Sequence, residues 1–236
     1  MRIKIADGLA YFDRAEWGAN PAIRGGYAID PRRKLETDIH HTVIVDRDAT
    51  PDLWETEAEV KTKMRQLQVI RSDITDVPYN DVGFLMANRT LIVCEGRGQA
   101  RTGAHTRGRN TRGYGFAFEG DMEALPNPDM RLWLGKLNQF FGWVKYERGL
   151  VNLGPFYPHQ RFHNTACPGR ATLAVISQFE YQEVDMYPDE ERREQLAAVQ
   201  TLFETAAAYV GQNTPLPRDV RVKIKYLIAL AAAADA

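Results

Sequence analysis

The sequence predicts an α/β fold: a mixed central β-sheet flanked by helices, with a C-terminal helical appendage. Three observations lead there. Asp38 to Val45 is a run rich in β-branched residues and reads as a buried strand. Tyr79 to Met86 and Leu91 to Glu95 are two further strand patterns, joined by the turn Ala87-Asn88-Arg89-Thr90 into a hairpin. Amphipathic stretches lie between and after these runs, and helices interleaved with strands and a hairpin favour a mixed sheet.

The elements follow in order. Ala49-Thr50-Pro51-Asp52 is a helix start, with Thr50 as N-cap and Pro51 at the first helical position. The stretch Leu53 to Ser72 then sets Val60, Met64, Leu67 and Arg71 at helical spacing. Tyr114 to Glu119 is a third strand pattern. Asn127-Pro128-Asp129 opens a helix to about Arg148, with Leu132, Leu137, Phe140, Phe141 and Val144 facing inward. Gly149 to Pro158 reads as a loop and Arg170 to Tyr181 as a helix. Past Gln182 the composition shifts. Pro188-Asp189-Glu190-Glu191 opens a helix carrying Leu196, Val199, Phe203, Ala206 and Val210; Gly211 to Pro217 breaks it, and Arg218 to Ala236 is the last helix. Residues 1–181 are thus expected to form the main domain and residues 182–236 a helical hairpin. That hairpin packs back, dimerises or touches a cell envelope, and packing back is the plain expectation.

Composition narrows the class. With 30 basic and 31 acidic residues among 236 the formal charge is −1, which argues against a whole-chain nucleic-acid binder. Hydrophobic residues are 44% and charged residues 26%, so disorder and coiled-coil arrays are poor readings. No apolar run is long enough for a membrane span. Met1 to Gly8 is interrupted by Asp7 and lacks the apolar stretch of a secretory signal, so synthesis in the cytoplasm is expected. Cys94 and Cys167 are then expected to stay reduced.

The chemistry concentrates in His159-Gln160-Arg161-Phe162-His163-Asn164-Thr165-Ala166-Cys167-Pro168-Gly169. An imidazole and a thiol lie eight residues apart in a loop bounded by prolines. Zinc takes both, and a catalytic zinc site needs three protein ligands and an open position. His40, on the apolar strand, is the candidate third ligand. On spacing alone other readings stay open: a satisfied core histidine, a small buried cysteine, or a thiol nucleophile with a nearby histidine.

Six short motifs occur in one order: Arg14-Ala15-Glu16-Trp17-Gly18-Ala19, Ile39-His40-His41-Thr42, Asp76-Val77-Pro78-Tyr79-Asn80, Glu95-Gly96-Arg97-Gly98, Gly103-Ala104-His105-Thr106 and Cys167-Pro168-Gly169. Together, from about Ala10 to Gln178, they resemble the zinc-dependent N-acetylmuramoyl-L-alanine amidases, a family that includes amidase-type phage endolysins and animal peptidoglycan recognition proteins. The resemblance implies a fold of that kind and one Zn2+ per chain, held by His40, His159 and Cys167. It also implies catalytic roles for Tyr79 and Thr165. His41 should point to the opposite face, since strand side chains alternate. The hairpin after Tyr79 is longer than is usual in the family, and a competing register would put Phe84 at the tyrosine position. Tyr79 is preferred, because two added residues per strand keep every side chain on its face. Asp81 replaces a phenylalanine common in relatives, Gln99 stands where they often carry tryptophan, and Glu95 is expected to be structural.

Arg97, Arg101, Arg107, Arg109 and Arg112 surround His105 in one Gly-rich loop. A basic rim suits anionic stem peptides, His105 is a cleft residue by the resemblance, and His41, Arg97, His105, Arg107 and Asn110 are taken together as the expected substrate contacts. The implied activity is hydrolysis of the amide between N-acetylmuramic acid and L-alanine of bacterial peptidoglycan. The expected setting is a monomeric phage endolysin, made in the host cytoplasm and acting on the wall after release. A non-catalytic recognition module is the alternative. Such modules typically lose the zinc cysteine, which is present here. A cysteine hydrolase is a weaker third reading, because both candidate histidines precede Cys167, the reverse of the papain-like order.

Overall fold

The structure is a computed structural model that describes residues 1–43, 53–124, 126 and 128–184. The expected helix start at Thr50 and Pro51 and the helical hairpin lie outside these residues, apart from 182–184. Seven strands form one sheet among the described residues: β1 (Arg2–Ala6), β2 (Leu9–Phe12), β3 (Glu36–His41), β4 (Asp81–Leu85), β5 (Leu91–Glu95), β6 (Gly113–Phe118) and β7 (Phe156–Pro158), in the order β1-β2-β5-β4-β6-β3-β7. β1/β2 and β4/β5 are antiparallel, whereas β2/β5, β4/β6, β6/β3 and β3/β7 are parallel. The sheet is mixed, as the sequence predicts, and helices flank it.

Helix α1 (Glu57–Val69) covers one face. Val60, Met64 and Leu67 pack in one cluster with Phe12 of β2, Val82 and Phe84 of β4, and Ile92 and Cys94 of β5. The helix starts later than Leu53 because Thr56 and Glu59 form a reciprocal capping box. The Thr56 side chain accepts from the Glu59 N–H at 3.2 Å. Thr56→Ala is expected to cost about 1 kcal/mol, seen as a lower denaturation midpoint with an unchanged slope.

Helix α2 (Leu134–Glu147) covers the other face, burying Leu137, Phe140, Phe141 and Val144. It follows a short 3-10 turn, Met130–Trp133, which points Leu132 to solvent rather than inward. The expected helix Arg170 to Tyr181 is only α3 (Arg170–Leu173) and a 3-10 turn, Ile176–Gln178. β1, β2 and β7 fall where no strand was expected. β7 is three residues long and ends in proline, too short for any alternation to register.

Beneath α2 lies a buried polar knot. The hydroxyls of Tyr11 (3.2 Å) and Tyr114 donate to the Asp81 carboxylate, and the Gln99 amide donates at 2.8 Å. The residues that depart from the family pattern, Asp81 and Gln99, therefore satisfy each other. Burial pushes the Asp81 carboxyl up from 3.8 to about 8. A carboxyl raised in the folded state stabilises below its unfolded pKa, and that contribution is lost as pH rises toward the folded value. The stability of the wild type relative to Asp81→Asn is therefore expected to fall between pH 4 and 8. The limiting slope is about 1.4 kcal/mol per pH unit. Melting curves of both proteins across that range check it; parallel curves would refute the assignment.

Candidate metal centre

The register of the sheet assembles the site. Ile39 of β3 pairs with Pro158 of β7, so the next residues, His40 and His159, emerge side by side. Their ring centroids are 4.5 Å apart. His40 pairs with Ala117, which pairs with Val82, whose side chain packs against α1. His40 therefore faces the α1 side of the sheet. The loop after β7 then folds back: the Gln160 N–H donates to the Cys167 carbonyl at 2.9 Å. Cys167 Sγ thereby comes within 3.7 Å of His40 Nδ1.

One ligand atom from each of His40, His159 and Cys167 lies within 4.8 Å of the others. Zinc bonds of about 2.0–2.1 Å to nitrogen and 2.3 Å to sulfur put tetrahedral N and S ligands about 3.6 Å apart. The His40–Cys167 separation fits that edge. Burial, with His105 and His159 nearby, holds His40 well below the usual imidazole range. Burial takes His159 down to about 4. Both rings are thus neutral at pH 7 with a lone pair to offer. Burial pushes the Cys167 thiol up to about 12, against the His41 N–H, which donates to Sγ at 3.4 Å. A cation beside the sulfur would reverse that shift, since a coordinating thiol is deprotonated. The two cysteines are free, and Cys94 sits in the core cluster.

These three residues form part of the wall of a cavity of about 430 Å³. The end of α1 contributes Leu67, and Ile70, Arg71 and Ile74 follow it. Tyr79 and Thr165 also line it. The Tyr79 ring lies 5.3 Å from that of His40, and its hydroxyl donates to the His41 carbonyl at 3.4 Å. Burial raises the Tyr79 phenol, so it stays a proton donor. Phe84, the competing residue, is fully buried in the core against Trp54. Thr165 Oγ1 accepts from the Cys167 N–H at 3.2 Å, which leaves its hydroxyl proton for the cavity.

The expected substrate contacts divide. His41 points away from His40, as alternation requires, yet still lines the cavity because β3 ends there. Its Nδ1 accepts from the Met122 N–H at 3.0 Å and lies 3.7 Å from Asp121, a cavity carboxylate that sequence reasoning missed. His105 also lines the cavity. Arg97 does not: its guanidinium is buried and donates to the carbonyls of Val77, Thr75 and Thr102. Asn110 turns inward too, its side-chain oxygen accepting from the N–H groups of His105 and Thr106. Arg107 is exposed but lies outside the cavity wall. The basic rim is also thinner than expected. Arg101 holds the carbonyls of Gly25 and Gly26, while Arg109 and Arg112 pair with Glu36. Buried carbonyls and a buried carboxylate need those cations, so a Gly-Arg loop is braced from within. Glu95 is structural, accepting from the Arg14 N–H and pairing with Arg24.

No protein-family model matches the chain. Peptidoglycan-recognition protein 1 of Holotrichia diomphalia is 31% identical over 119 residues, 50% of this chain and 55% of that protein. An N-acetylmuramoyl-L-alanine amidase of Mus musculus is 30% identical over 173 residues, 71% of this chain and 30% of that protein. The chain thus spans about half the length of the first and under a third of the second. Among solved structures, the ectodomain complex of peptidoglycan recognition proteins LCa and LCx bound to tracheal cytotoxin matches with a TM-score of 0.57 and 21% identity. That match covers 72% of this chain and 96% of that one. The fold is that of the peptidoglycan recognition proteins. The chain is a homologue of these proteins and of the N-acetylmuramoyl-L-alanine amidases.

Proposed function

We propose that this chain is a zinc-dependent N-acetylmuramoyl-L-alanine amidase, hydrolysing the bond between N-acetylmuramic acid and L-alanine of the peptidoglycan stem. The observation that carries the reading is the convergence of His40, His159 and Cys167 in the wall of an open cavity. A module that only binds has no need of the cysteine. The amidase relatives and the cytotoxin-bound neighbour support peptidoglycan as the substrate class.

His40, His159 and Cys167 would hold the ion. Bound zinc lowers the pKa of a water to about 7 and polarises a carbonyl. The residues of the chain do the rest. The cavity wall from Leu67 to Ile74 shields the reacting amide on one side. The Tyr79 hydroxyl, kept protonated by burial, donates to the oxygen that gains charge as the amide carbon becomes tetrahedral. Thr165 offers a second donor while its oxygen holds the Cys167 N–H in place.

Purified protein is expected to carry about one zinc per monomer and to release free alanine amino termini from isolated peptidoglycan. A chelator should abolish that release and added zinc restore it. Zinc without cleavage would turn the reading toward the recognition module, and cleavage by the metal-free protein would revive the cysteine nucleophile. The setting we propose is that of a phage endolysin, made in the host cytoplasm and acting on the wall after release. Clearing of a suspension of permeabilised cells tests it.

A further inference from the structure

We propose that His105 and Thr106 are positioning residues that fix which nitrogen His40 gives to the metal and how firmly it holds it. The inference rests on the zinc reading above. His40 has two ring nitrogens with separate surroundings. Nδ1 faces Cys167 Sγ at 3.7 Å, inside the ligand cluster. Nε2 faces away, 3.1 Å from His105 Nδ1 and 3.3 Å from Thr106 Oγ1. When Nδ1 ligates, Nε2 carries the proton and must donate it, and these are the acceptors within reach. His105 Nδ1 has a single lone pair and lies 3.0 Å from Thr106 Oγ1, so either it takes the His40 proton directly, or Thr106 Oγ1 takes that proton and donates its own to Nδ1. Behind them Asp38 Oδ2 stands 3.8 Å from His105 Nδ1, on the same face of β3 as His40. Such outer partners set the tautomer and raise the basicity of a ligating imidazole.

The fold is built to hold this arrangement. The His105 ring is clasped between two glycines: a Cβ added to Gly103 would lie 2.1 Å from its Cδ2, and one added to Gly115 would lie 2.3 Å from the same atom. Only glycine leaves that slot open. Asn110 pins the backbone of both residues, accepting from the His105 N–H at 2.8 Å and the Thr106 N–H at 3.0 Å. The ring is thereby held from two sides and below, with Nδ1 aimed at His40.

The test compares His105→Leu, which removes the acceptor, with His105→Asn, whose side-chain oxygen can take the place of Nδ1, and with Thr106→Val. Zinc affinity is measured by competition with a chromophoric chelator, and the visible spectrum is recorded for the cobalt-substituted proteins. His105→Leu is expected to weaken zinc about 10–100-fold and to shift the cobalt bands. His105→Asn should recover most of the affinity, and Thr106→Val should lose severalfold. If His105→Leu fails to fold, the comparison between Thr106→Val, His105→Asn and wild type still decides. Wild-type affinity and an unshifted cobalt spectrum in the variants overturn the inference and leave the zinc site standing. A wild type that binds no zinc overturns both.

Discussion

Cys167→Ser is expected to remove metal and activity together. Serine matches the cysteine in shape, so the loop after β7 keeps its packing and the His41 N–H keeps an acceptor. The chemistry does not survive. A hydroxyl is far harder to deprotonate than a thiol, and its shorter bond to carbon draws the donor atom back from the His40 edge. Two histidines remain, fewer than the three protein ligands of a catalytic site. Zinc affinity should fall by more than the roughly 10–100-fold that follows loss of an outer-shell partner. Hydrolysis of peptidoglycan should drop to background, while the melting temperature of the metal-free protein stays within a few degrees. Metal analysis after desalting and release of alanine amino termini report the two effects separately. A variant that keeps zinc but loses hydrolysis would point to sulfur as nucleophile. One that keeps both would remove Cys167 from the site altogether.

Tyr79→Phe is expected to leave the metal in place and slow the reaction. The ring stays beside His40, so the cavity keeps its shape, and only the hydroxyl goes. One positioned donor to a developing oxyanion is worth about 10²–10³ in kcat. KM should change little, since the charge that the hydroxyl meets exists mainly in the transition state. Phe84→Tyr separates the two registers from the other side. That side chain is fully buried, so a new hydroxyl there costs stability and adds nothing to the rate. An unaltered kcat in Tyr79→Phe would take the phenol out of the reaction and leave Thr165 as the donor to examine.

The parts of the fold legible in the sequence were those with strong local signals. β3, the hairpin of β4 and β5, and β6 carry enough β-branched and aromatic residues to declare themselves. Helices α1 and α2 show their apolar stripes. β7 does not, because a three-residue strand is made by its neighbour rather than by its own pattern. β1 and β2 are short; β1 pairs only with β2 among the described strands, and the pairing of β2 with β5 joins residues some eighty positions apart. The site was legible in outline for a different reason. Donor identity and spacing make His40, His159 and Cys167 candidates, and the resemblance carried by the six motifs is what implies them as a ligand set. Direction is what spacing cannot carry. Nothing local says that Arg97 and Asn110 turn into their own loop, or that Asp121 reaches the cavity. Thr106 belongs to a quoted motif, yet its partner lies 66 residues away on β3.

The strand that brings His159 to His40 is the last in the sheet and, among the described residues, has one neighbouring strand, β3. It meets that neighbour over three residue pairs. A cation held between His40 and Cys167 would therefore act as a rivet across 127 positions of chain, fastening an edge that is otherwise held by three ladder pairs and by the ring contacts of Phe156. Binding energy spent there is also folding energy. Opening of that edge and escape of the ion become a single event, and the amides of residues 156–167 should exchange with solvent at a rate set by free zinc.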